Sequence, residues 1–194
     1  MKIVEKKISF SSKDYENWLR CDPIIMPKKL IISTQKDIKE GRKEKPPLHH
    51  FPANITRKYF ENKGYTALLS EMSGDNYKLF KGDRRIEKKV TKENYQLFIK
   101  TYDILRKDKV IKQAGGEPDL FVFNEKEAFF VEAKRIGPLN HPDDMLRENQ
   151  KVIISLIKLF LNINIEIYAV VFEDLFERYV PKNYVWHLNL ETSD

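Results

Sequence analysis

The sequence is poor in cysteine: Cys21 is the single one among 194 residues. That excludes an internal disulfide and a zinc site built from several thiolates of one chain. A long unbroken apolar run is also missing. The most apolar stretch, residues 152–172, is interrupted by Lys158, Asn162, Asn164 and Glu166, so it does not read as a membrane span. The opening Met1-Lys2-Ile3-Val4-Glu5-Lys6-Lys7 has no apolar core of the signal-peptide kind. The expectation is a soluble, cytoplasmic protein without a membrane partner. Internal repeats are absent. The pair His49-His50 has no partners at metal-ligand spacing and reads as exposed, while His141, in the loop after Lys134, reads as solvent-exposed in preference to a phosphate or substrate contact.

What is present is enough to build a core. Hydrophobic residues make up 41% of the chain, with 12 Phe, 9 Tyr and 2 Trp, which excludes a mainly disordered protein. The length suits one domain with an extension. Charged residues reach 33%, and 35 Lys+Arg against 29 Asp+Glu leaves +6, an excess that fits a polyanionic partner and that ordinary cytosolic proteins share. The densest basic patch is Lys81, Arg84, Arg85, Lys88, Lys89 and Lys92. Arg106, Lys107, Lys109 and Lys112 extend it. Phosphate contacts and a plain solvated helix flank explain that patch equally well.

Residues 2–34 read as a strand to Phe10 followed by a short helix capped by Ser11 or Ser12. Residues 35–48 hold five basic and three acidic residues plus Pro46-Pro47, the composition of a solvated linker. A helix over 54–63 stops at Gly64, and 65–70 follows as a strand. Thr91 caps a helix to about 106 with Tyr95, Phe98, Tyr102 and Leu105 on one face. Strands at 118–123 and 128–134 flank a polar loop, residues 124–127. A long helix over roughly 143–161 buries Val152, Leu156, Leu159 and Phe160, and strands at 165–172 and 184–190 close the chain. Strands separated by helices predict an α/β sheet.

The second strand pair carries the chemistry. Side chains alternate along a strand, so Glu132 and Lys134 face one way. With a four-residue loop Phe123 opposes Ala128, and counting back sets Asp119 opposite Glu132, with Cβ atoms about 4.5–5.5 Å apart. Two carboxylates that close, flanked by Phe129, Phe130 and Val131, repel each other unless a cation neutralises them. Hard oxygen ligands suit Mg²⁺ or Mn²⁺. Lys134 on the same face would then hold a water or stabilise charge on a phosphoryl oxygen. The bland reading is that a Glu-x-Lys on a strand is an ordinary surface ion pair.

Gly116-Glu117-Pro118-Asp119-Leu120, Phe130-Val131-Glu132-Ala133-Lys134 and Leu146-Arg147-Glu148-Asn149-Gln150 resemble the PD-(D/E)XK nuclease signature, and more narrowly the virus-type replication–repair nuclease (VRR-NUC) family. The resemblance spans about residues 54–172. It implies a restriction-endonuclease-like core in αβββαβ order, with a central mixed sheet flanked by helices, and a Mg²⁺- or Mn²⁺-dependent deoxyribonuclease. Residues 51–194 would form the nuclease domain, preceded by an N-terminal extension and linker, 1–50. Asp119 and Glu132 would be metal ligands together with the Ala133 carbonyl. Lys134 would be the catalytic lysine, and Gln150 would face the site. The upstream acid of the family falls at Glu71 or Glu61, and Glu71 is preferred because a carboxylate near a helix C-terminus is disfavoured. After Lys134 the segment 135–142 is longer and more basic than in the family, which leaves substrate preference open among single-stranded DNA, branched DNA and RNA. A homodimer is equally open. The rival reading keeps the fold as a catalytically inactive nucleic-acid-binding or scaffold module.

Overall fold

A computed structural model describes residues 1–69, 88–107, 116–137 and 145–187. Seven strands and six α-helices are described. They are β1 (Lys2–Val4), β2 (Lys6–Phe10), α1 (Ser12–Leu19), α2 (Lys28–Lys39), α3 (Phe51–Glu61), β3 (Thr66–Leu69), α4 (Lys92–Lys107), β4 (Leu120–Phe123), β5 (Ala128–Ile136), α5 (Glu148–Leu156), β6 (Asn164–Phe172), α6 (Glu173–Phe176) and β7 (Asn183–Val185). Five strands form a mixed sheet in the order β2-β6-β5-β4-β3, and β1 pairs with β7 in a separate two-stranded ribbon. The pairs β3/β4 and β4/β5 are antiparallel, whereas β5/β6 and β2/β6 are parallel. No helix among the described residues is long and apolar enough to cross a membrane.

The sheet is covered on both faces, so β5 reads apolar on both sides of its pleat. Phe129, Val131 and Ala133 point to a layer made by α1 and α3, where Phe10, Trp18, Phe51, Ile55 and Phe60 are buried. Phe121, Phe130, Ile165 and Ile167 point to the opposite layer, where α4 and α5 bury Tyr95, Phe98, Tyr102, Ile153 and Leu156. Each fully buried aromatic or aliphatic side chain there contributes about 1.5–3 kcal/mol. Glu132 and Lys134 stand on this second face, in a layer that is mostly apolar.

The N-terminal segment is part of this architecture. Lys6 to Phe10 pair with Tyr168 to Phe172 as an edge strand, and Ile25 and Met26 are fully buried in the same cluster as Ala133. Ser11 caps α1, taking the Asp14 N–H at 3.1 Å while its own N–H donates to Asp14 at 3.0 Å. The stretch expected to be a linker begins inside α2, because Lys36 and Lys39 ride on the solvent side of its last turn. Residues 40–45 are exposed, as a linker should be.

Two further expectations are corrected around α5. The helix starts at Glu148 rather than near 143, because Arg147 has extended φ/ψ and the Gln150 side chain returns to cap it. Its C-terminal end widens into a π-turn, Ile157–Leu161, closed by Asn162 in the left-handed region. The widened turn shifts the helical phase, so Leu156 is buried while Leu159, expected in the core, is 63% exposed.

Candidate active site

The register places the acids as the sequence predicts. Phe123 pairs with Ala128 and Leu120 with Val131, which carries Asp119 opposite Glu132 one step beyond the ladder. Asp119 is half-buried, and its Oδ2 accepts the Ala133 N–H at 2.9 Å. The carboxylate is therefore docked on the peptide between Glu132 and Lys134.

Glu132 and Lys134 form an ion pair at 2.7 Å and are 2% and 1% exposed. Burying two charges this deeply needs close geometry and further hydrogen bonds. Gln150, also buried, supplies them. Its Oε1 accepts from Lys134 Nζ at 3.0 Å and from the Arg147 N–H at 3.0 Å, and its Nε2 donates to Glu132 Oε1. An ammonium only donates and a carboxylate only accepts, so a neutral amide is suited to bridging both. The same side chain caps α5, which ties the helix start to the charged pair.

The approach to Asp119 is built by residues that the sequence marks only as members of a motif or of an apolar helix face. Gly116 has φ +126, and a Cβ there would lie 3.2 Å from the Asn149 carbonyl oxygen and 3.3 Å from Ile153 Cγ1. Glycine lets the chain press against the first turn of α5. Glu117 then accepts a hydrogen bond from Tyr102 Oη at 2.5 Å. Tyr102 was legible only as one residue of an apolar helix face, and nothing local marks its link to a glutamate fifteen residues on.

Not every predicted residue joins this group. Ala133 contributes its N–H to Asp119 and turns its side chain to the α3 layer. Glu61 is exposed and paired with Arg57 at 3.1 Å, as an ordinary surface glutamate. Glu71 lies outside the described residues, as do His141, Lys81, Arg84, Arg85, Lys109 and Lys112. Lys88, Lys89 and Lys92 are exposed. Among the described residues no group of three or more His, Cys, Asp or Glu is placed to hold a metal ion. Asp119 and Glu132 therefore offer two carboxylates rather than a complete cage. The His49 and His50 rings lie with centroids 4.0 Å apart and planes tilted by 52°, and burial with the neighbouring His49 pushes His50 down to about 4. Cys21 is buried, and burial pushes its thiol up, away from reactivity.

No protein-family model, curated protein or solved structure matches the chain.

Proposed function

We propose that the chain is a Mg²⁺- or Mn²⁺-dependent nuclease that hydrolyses phosphodiester bonds of DNA on a restriction-endonuclease-like core. The observation that carries this reading is the docking of Asp119 on the Ala133 N–H, which groups Asp119, Glu132 and Lys134 at one place on the sheet. The order α3-β3-β4-β5-α5-β6 supports it, with α4 inserted between β3 and β4.

The donor set suits a hard divalent ion, because both side chains are carboxylates. Asp119, Glu132 and the Ala133 carbonyl would hold it, with Glu71 as the further acid. Bound there, such an ion would supply Lewis-acid polarisation of a phosphoryl oxygen and a water acidic enough to attack near neutral pH. Lys134 Nζ donates to Glu132 and Gln150, and its ammonium would set a positive charge where negative charge develops on phosphorus-bound oxygen. Gln150 orients both members of the pair, and the apolar layer of α4 and α5 excludes water from them. Lys88, Lys89 and Lys92 would track phosphates, which makes binding weaken with salt.

The test is cleavage of single-stranded, duplex, flapped and junction DNA, and of RNA, with Mg²⁺, Mn²⁺ or a chelator. Metal-dependent products support the nuclease and name its substrate. Salt-sensitive binding to DNA without products under any of these conditions favours the inactive nucleic-acid-binding module instead.

A further inference from the structure

Resting on that nuclease reading, we propose that Tyr102 is a positioning residue: through Glu117 it fixes the 116–119 segment so that Asp119 meets β5, and it thereby sets the affinity for the divalent cation.

Four consecutive residues of that segment are held, each by a different contact. Gly116 lies against the Asn149 carbonyl, Glu117 takes the Tyr102 hydroxyl, Pro118 is buried with its φ fixed by the ring, and Asp119 takes the Ala133 N–H. Glu117 holds α4 to the segment, and Asp119 holds the segment to β5. Removing the middle contact takes away the side-chain hold of Tyr102 in α4 on the residue two positions before Asp119.

The hydroxyl is the telling feature. The Tyr102 ring is 2% exposed and stacks on Phe98 at 6.0 Å in the α4 layer, a role that phenylalanine would fill without burying a polar group. A buried hydroxyl is costly unless it is hydrogen-bonded, and here its partner is an ionisable carboxylate, the stronger kind of acceptor. Burial, and then Glu117 itself, push the phenol well above its ordinary range, so Tyr102 stays a donor. Glu117 is engaged by this bond, and among the described residues it belongs to no group of acids placed for a metal ion, so its proposed effect on the ion passes through Asp119.

Tyr102→Phe, Glu117→Ala and Glu117→Gln separate the hydrogen bond from the ring and from the charge. Mn²⁺ binding is measured by paramagnetic resonance of free Mn²⁺, beside the Mn²⁺ concentration that half-saturates cleavage and the melting temperature without metal. Tyr102→Phe and Glu117→Ala are expected to bind Mn²⁺ about tenfold more weakly, the scale of lost support behind a metal ligand, with cleavage near parental once Mn²⁺ saturates. Glu117→Gln keeps an acceptor for the hydroxyl and is expected to bind like the parent. If the parent binds and cuts while Tyr102→Phe lowers only the melting temperature, the inference is overturned and Tyr102 is a core residue. If the parent neither binds Mn²⁺ nor cuts, the nuclease reading fails and takes this inference with it.

Discussion

Asp119 reaches across from the start of β4 to accept the backbone N–H of Ala133 at 2.9 Å, and Ala133 separates the two members of a buried ion pair. One hydrogen bond thus fixes the spacing between an acid on one strand and an acid and a base on the next. The charges lie where an apolar layer surrounds them, so their mutual compensation is part of the stability of the protein.

Breaking that compensation should be expensive. Lys134→Met leaves the Glu132 carboxylate buried without its cation, and is expected to cost about 3–5 kcal/mol in urea unfolding. The double variant Glu132→Gln/Lys134→Met removes both charges and should recover most of that loss. A single variant within about 1 kcal/mol of the parent would mean that the pair behaves as a solvated one.

The contribution of the N-terminal segment is equally testable. Removing residues 1–50 strips the edge strand β2 and the side chains of Phe10, Trp18, Ile25 and Met26 from the layer against Phe51 and Ala133. The remaining chain is expected to lose cooperative thermal unfolding. A sharp transition near the parent's temperature would show instead that residues 51–194 fold as an independent unit.

That segment marks where sequence reading stops. The β4–β5 pairing was legible because a four-residue loop fixes its register locally, and with it the placement of Asp119 against Glu132. The parallel pairing of β2 with β6 joins residues some 160 positions apart, and no local pattern encodes it. The basic run at the end of α2 looks like linker, because a solvated helix face and a solvated loop share one composition. The start of α5 was misplaced because its cap is the Gln150 side chain reaching back, rather than a Ser, Thr, Asp or Asn ahead of the helix. The Tyr102–Glu117 contact was invisible for the first of these reasons: it is made between elements.

His50 gives a pH dependence with a definite sign. Burial, with His49 beside it, holds its folded-state value down at about 4, below the ordinary histidine value of 6.5. Above that ordinary value both states are neutral and the group contributes nothing. As pH falls from about 6.5 toward 4, the unfolded chain takes up a proton that the folded chain resists, so stability declines across that window and levels off below it. Urea midpoints measured between those limits should fall less steeply in His50→Gln than in the parent. Parallel curves would show that His50 titrates normally in the fold.

Asp119→Asn tests the central claim most directly. The amide oxygen of asparagine can still accept the Ala133 N–H, so the fold should be kept while the carboxylate charge proposed to hold the metal ion is lost. Cleavage of DNA by this variant and by the parent would be followed across a Mn²⁺ titration, with melting temperatures measured in parallel. Expected are an unchanged melting temperature without metal, no Mn²⁺-induced rise in it, and loss of metal-dependent cleavage. An Asp119→Asn protein that binds Mn²⁺ and cuts DNA as the parent does would contradict that claim.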